Sequence, residues 1–211
     1  MKHNIDYSLY LVTNREMCEG RNFLEIISEA IRGGVTVVQL REKSMDTCEF
    51  LRNALSIKKL LSLSDIPLII NDRIDIALAA SADGVHIGQN DMPLEIARRI
   101  LGDDFIIGVS VNDIDSAVAA EKGGADYIAV SPIWSTPTKT DTPHEIGLSM
   151  TAKIVNAVKI PVVGIGNIKY NNCAKVLETG CAGIAVVSAI MAAENPYLAS
   201  TELKKAIKGY I

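Results

Sequence analysis

Gly33-Gly34-Val35-Thr36-Val37-Val38-Gln39-Leu40-Arg41-Glu42-Lys43 is the stretch whose reading decides the fold. Before it, Phe23, Ile26, Ile27, Ala30 and Ile31 recur at helical spacing, and Gly33-Gly34 stops that pattern as a C-cap does. The β-branched run that follows is a strand, and it ends in an amide and charged side chains. Two later joints repeat the transition: Gly123-Gly124-Ala125-Asp126-Tyr127 and Thr179-Gly180-Cys181-Ala182-Gly183.

Working outward, strands are expected at Ser8–Thr13, Thr36–Arg41, Pro67–Asn71, Gly84–Gly88, Ile106–Val111, Tyr127–Ser131, Pro161–Gly166 and Gly183–Val187. Helices are expected between them, at Phe23–Arg32, Asp46–Leu63, Ile74–Ala80, Pro93–Leu101, Ile114–Lys122, Met150–Val158 and Tyr170–Glu178, with a last one at Leu198–Lys208. Strands this apolar are covered on both faces, so the repeat predicts a parallel sheet closed as a (β/α)8 TIM barrel, one domain over residues 1–211. An open doubly wound sheet is the competitor, but no G-x-G-x-x-G opens the first helix. One connection, Pro132–Leu148, is long, and long loops in compact domains are usually lids or binding loops.

The chain is 48% hydrophobic but only 5% aromatic, so its core is built from Ala, Val, Ile and Leu. A net charge of −4 excludes the basic balance of a nucleic-acid binder. The first residues hold no apolar signal segment, and no run approaches the ~18 apolar residues of a membrane span. Cys18, Cys48, Cys173 and Cys181 lack C-x-x-C spacing, which argues against zinc and a disulfide framework and for a cytoplasmic protein. Small-molecule substrates are the expected partners, with neither nucleic acid nor membrane; a homo-oligomer is left open.

A barrel's active site lies at the C-terminal ends of its strands. Strand alternation turns Gln39, Arg41 and Lys43 one way and Leu40 the other, which makes a claw of donors for an anion. The next two strands lead into Asn71-Asp72 and Gly88-Gln89-Asn90-Asp91. Either carboxylate alone could be a helix N-cap; together, beside the claw, they suggest a Mg²⁺ site completed by water and substrate phosphate. Ser110 ends the fifth strand, as ligand contact or helix cap. Thr136-Pro137-Thr138-Lys139 in the long loop offers two hydroxyls and a cation to a phosphate. Gly164-Ile165-Gly166 and Val187-Ser188 stand where barrels bind phosphate on backbone N–H groups. His86 reads as a packed core histidine, and neither it nor His144 has metal-ligand spacing. Two phosphate centres without an evident nucleophile fit group transfer from a pyrophosphate ester.

Gln39-Leu40-Arg41-Glu42-Lys43, Ile70-Asn71-Asp72-Arg73, Gly88-Gln89-Asn90-Asp91, Thr136-Pro137-Thr138-Lys139 and Val187-Ser188-Ala189-Ile190 occur in an order that resembles the thiamine-phosphate synthases. The resemblance runs from about Tyr10 to Pro196. It implies a transferase that joins a hydroxymethylpyrimidine diphosphate to a thiazole phosphate, or its carboxylated form, and releases pyrophosphate. It implies a pyrimidine diphosphate site at Gln39, Leu40, Arg41, Glu42, Lys43, Asn71, Ser110 and Lys139. Mg²⁺ would sit on Asp72 and Asp91, and thiazole phosphate on Thr136, Pro137, Thr138, Gly166, Asn167, Val187 and Ser188. Arg41, Lys43 and Lys139 would stabilise the departing pyrophosphate in a dissociative reaction.

The family usually has Gly-Gly where this chain has Gly166-Asn167. Asn is the least costly replacement for Gly if that position has φ > 0, and its side chain is expected to narrow the phosphate cradle. Two rivals are a thiazole tautomerase of the same superfamily and a barrel that binds ligand without turnover. Neither needs Arg41, Lys43, Asp72, Asp91 and Lys139 all intact, as they are here.

Overall fold

A computed structural model describes residues 5–62, 64–135 and 145–210. Thr136, Pro137, Thr138, Lys139 and His144 therefore lie outside the described residues. Strands β1 (Leu9–Val12), β2 (Val37–Leu40), β3 (Leu68–Asn71), β4 (Gly84–Ile87), β5 (Ile106–Val111), β6 (Tyr127–Val130), β7 (Val162–Ile165) and β8 (Gly183–Val186) pair in chain order into a closed barrel. Every neighbouring pair is parallel, and β8 closes on β1 with Ile184 beside Leu9. The chain is thus a (β/α)8 barrel.

Helices α1 (Phe23–Arg32), α2 (Thr47–Leu61), α3 (Ile74–Ala79), α4 (Leu94–Leu101), α5 (Ile114–Lys122), α6 (Gly147–Ala157), α7 (Cys173–Leu177), α8 (Ser188–Met191) and α9 (Pro196–Ile207) surround the strands. The helix-to-strand joints turn on one left-handed residue, which glycine adopts without a Cβ penalty: Gly34 (φ +108°), Gly124 (+85°) and Gly180 (+91°). Ser81 (φ +49°) fills the same slot before β4.

Two elements were not expected. A 3₁₀ turn, Arg15–Cys18, and α8 are each four residues long, too short for periodicity to register. The helix expected over Tyr170–Glu178 is reduced to α7. The Asn172 side chain accepts from the Lys169 N–H and donates to the Asn167 carbonyl, a local turn that competes with helix. α6 starts at Gly147, not Met150, because Gly147 N–H is held by the Ile133 carbonyl.

Alternation sorts the strands' side chains into two cores. Leu9, Leu11, Val38, Leu40, Leu68 and Ile70 face the helices, whereas Tyr10, Val12, Val37, Ile69, Tyr127, Val163 and Ala185 fill the barrel. Tyr127 fits because Gly108 lies opposite on β5: a Cβ there would stand 2.0 Å from the tyrosine Cζ. The base of the barrel is bonded by side chains. Thr36, Asp83 and Asp126 accept the N–H of Leu9, Leu68 and Ile107, the first or second residue of the preceding strand.

Candidate active site

Past the tyrosines, the inward positions turn polar as the strands end: Gln39 on β2, Asn71 on β3, His86 on β4, Ser110 on β5, and Ser131 just after β6. Arg41, Asn71, His86, Ser110 and Ser131 form the wall shared by two chambers. The inner chamber, about 100 Å³, is lined by Tyr10, Val12, Gln39, Tyr127, Ala129, Val163 and the Ile165–Ile168 turn. The outer one, about 620 Å³, is lined by Lys43, Asp72, Gly88, Gln89, Asn90, Asp91 and Asn112. A flat ring suits the first, and a charged, hydrated group the second.

The outer chamber is held together by charge. The Thr13 hydroxyl accepts the Arg41 N–H at 3.1 Å, which fixes where that side chain leaves β2. Lys43 Nζ lies 2.8 Å from Asp72 Oδ2. Asp72 itself is left-handed (φ +61°), a conformation tolerated best by Asn and Asp among residues with a Cβ. Asp91 Oδ2 accepts the Gly88 N–H at 2.7 Å. Burial raises the Asp91 pKa first, and the neighbouring Asp72 carboxyl raises it further.

Neither carboxylate caps a helix: α3 and α4 have Arg73 and Pro93 at their N-cap positions, without side-chain cap bonds. The N-cap alternative therefore does not hold. Two neighbouring carboxylates, of which Asp91 carries its charge at a cost, are a hard-oxygen donor pair for a divalent cation. No third His, Cys, Asp or Glu joins a metal-binding group among the described residues, so other ligands would come from water and substrate, as Mg²⁺ accepts. The donor set fits that ion.

Ser110 does not cap either, since α5 begins with an Asp113–Ser116 capping box. Its hydroxyl lies 2.9 Å from His86 Nε2, and its carbonyl accepts Gln89 Nε2 at 2.6 Å. Gly166 (φ +119°), Asn167 (φ +52°), Val187 and Ser188 line the inner chamber's far wall. Gly166 admits no side chain, because a Cβ would come 2.8 Å from the Ile133 nitrogen. Asn167 is left-handed, the condition under which it replaces glycine at least cost. It also borders a second, outer cleft with Trp134, Ser135, Glu145, Asn172 and Lys175.

Two of the residues implied by the resemblance face elsewhere. Leu40 is fully buried in the helix-facing core. Glu42 is 3.6 Å from Arg15 Nε, with its carboxyl largely buried and its pKa pushed up by that burial. Both follow the alternation that puts Gln39 and Arg41 inside, so membership of a contiguous motif does not bring them to the cavity. His86, conversely, is in the wall and not merely core packing; with Tyr10, Tyr127 and Ser131 it was missed. Inward parity was the signal for all four.

Comparison with known proteins agrees with this fold and names a family. The family model described as thiamine monophosphate synthase matches residues 9–190. A thiamine-phosphate synthase from Clostridium acetobutylicum is 55% identical over 192 residues, 91% of this chain and 90% of that protein. One from Syntrophomonas wolfei is 50% identical over 192 residues, 91% of this chain and 92% of its own. A solved thiamine phosphate pyrophosphorylase from Pyrococcus furiosus superposes with a TM-score of 0.90 at 39% identity, covering 98% of both chains. By its sequence, its barrel and these matches, the chain belongs to the thiamine monophosphate synthase family.

Proposed function

We propose that this chain, a transferase of the thiamine-phosphate synthase family, joins 4-amino-2-methyl-5-hydroxymethylpyrimidine diphosphate to 4-methyl-5-(2-hydroxyethyl)thiazole phosphate, giving thiamine phosphate and pyrophosphate. The observation that carries the reading is the pair of chambers: Arg41 and Lys43 beside Asp72 and Asp91 outside, joined through one polar wall to a ring-sized space inside. The diphosphate suits the outer chamber and the pyrimidine the inner one. The thiazole phosphate would approach over Gly166-Asn167 and Val187-Ser188.

The bond between the pyrimidine methylene carbon and the diphosphate oxygen breaks first, and both electrons leave with pyrophosphate. The aminopyrimidine ring delocalises the methylene cation until the thiazole nitrogen lone pair forms the new C–N bond. Arg41 and Lys43 stabilise the charge on the leaving group, so they act on the transition state more than on bound substrate. Mg²⁺ held by Asp72 and Asp91 would add Lewis-acid neutralisation of the same oxygens. The chemistry asks for no protein nucleophile. A reducing, cytoplasmic location accords with the exposed free thiol of Cys48.

The test is thiamine phosphate formation from the two substrates with Mg²⁺, with and without EDTA. Product that EDTA abolishes supports both the reaction and the metal site. Product indifferent to EDTA would overturn the Asp72/Asp91 reading, and no product would overturn the reaction.

A further inference from the structure

Five strands contribute one side chain each to a continuous line of hydrogen bonds in the lining of the inner chamber. Gln39 Nε2 donates to the Tyr10 hydroxyl at 2.8 Å. The Tyr10 and Tyr127 hydroxyls are 2.8 Å apart, and Tyr127 is 3.0 Å from His86 Nδ1. His86 Nε2 then meets the Ser110 hydroxyl at 2.9 Å. Gln39, Tyr10, Tyr127 and His86 are all at most 6% exposed, so bulk water has little access to the line.

Each phenol has a single proton to give. Because Gln39 donates to Tyr10, the Tyr10 proton goes to Tyr127, and the Tyr127 proton goes to His86 Nδ1. That nitrogen is then the bare one, and His86 carries its proton on Nε2 and gives it to Ser110. The Ser110 hydroxyl, now an acceptor from His86, has its own proton left for the cavity. Burial pushes both phenol pKa values far up, so neither tyrosine breaks the sequence as a phenolate.

We infer that Gln39 sets the direction of this line, which locks His86 as the Nε2–H tautomer and presents Ser110 to the ligand as a hydrogen-bond donor. Tyr10 and Tyr127 are positioning residues: they transmit direction from one wall of the chamber to the other. A ligand read this way offers Ser110 a lone pair, as a ring nitrogen of a pyrimidine does. This last point rests on the proposed function; the tautomer does not.

The test uses the intact protein with ¹⁵N-labelled histidine, of which the chain has only three. Two-bond nitrogen–carbon-proton correlations show which His86 nitrogen carries the proton. The expected result is Nε2–H in the unliganded wild type. Gln39→Glu replaces the donor with a carboxylate that only accepts, so the line reverses and the proton moves to Nδ1. Nδ1–H in the wild type, or a tautomer unmoved by Gln39→Glu, overturns the inference. Tyr127→Phe supplies a kinetic reading: about a tenfold rise in KM for the pyrimidine diphosphate, with KM for the thiazole phosphate unchanged. A uniform loss of both would mean simple structural damage and counts against the inference. If the wild type makes no thiamine phosphate but shows the tautomer and its reversal, the catalytic reading fails and the polarity stands.

Discussion

The two ends of the barrel use the same residue types to opposite effect. At the base, Asp83 accepts from Lys58 at 2.7 Å and from the Leu68 N–H at 2.8 Å; Asp126 accepts from Arg98 at 2.6 Å and from the Ile107 N–H at 2.7 Å. Arg98 adds the carbonyls of Gly102, Phe105 and Gly124. At the mouth, Asp91 is pressed against a second carboxylate, Asp72 sits in a left-handed conformation, and Arg41 has no ion-pair partner among the described residues. Carboxylates at the base are each shared between a cation and a strand N–H; at the mouth Asp72 has Lys43, Asp91 has the Gly88 N–H, and the two carboxylates crowd each other. Stability and function are thus separated along the barrel axis.

That separation can be broken in graded ways. Asp91→Ala is expected to lower the transfer rate by about 100-fold or more, while the urea midpoint moves little. Parallel rate and unfolding measurements check it, and a large loss of stability would remove the contrast. Asp126→Ala should do the reverse. It takes the carboxylate from Arg98 and leaves the Ile107 N–H without that acceptor, so unfolding in urea should show a loss of about 2–4 kcal/mol, with kcat of the folded enzyme intact at low temperature.

Asn167→Gly sharpens the comparison within the mouth. Opening the cradle should tighten thiazole phosphate binding about two- to threefold, a change of some 0.5 kcal/mol, with KM for the pyrimidine diphosphate unmoved. Equal affinity in both forms would mean that the Asn167 side chain is out of the way. The smallest effect belongs to Asp113, an exposed cap whose pKa is lowered mainly by the Ser116 N–H and hydroxyl. Its folded value lies below its unfolded one, so its contribution is present above the ordinary carboxylate range and lost as pH falls through it. Asp113→Ala should cost about 1 kcal/mol at pH 7 and progressively less toward pH 3, by urea titration at each pH.

What was legible in the sequence is what local patterns encode. α1, β5 and α5 lie where periodicity puts them, since their caps and apolar spacing are contiguous in the chain. The barrel followed from repetition. Gln39, Arg41, Lys43, Asn71, Asp72, Asp91 and Ser110 gather in one place because each terminates or follows a strand. Leu40 and Glu42 do not, because a motif is read along the chain while a strand distributes it to two faces. The Tyr10–Tyr127–His86 line was illegible for another reason. Its members are 29 to 117 positions from their partners, and only closure of the ring makes them neighbours.

The closing seam has a consequence for how the molecule is made. β1 pairs with β8, the Ile184 N–H bonds to the Ser8 carbonyl, and Arg21 binds the carbonyls of Met191 and Ala193. During synthesis, one edge of the first strand, and the arginine that follows it, wait for β8 and the residues just after it to be translated. Until then the nascent chain carries an unpaired edge, the kind of surface that invites pairing with a stranger. Truncation before β8 therefore leaves not a barrel with one stave missing, but a sheet with two open sides.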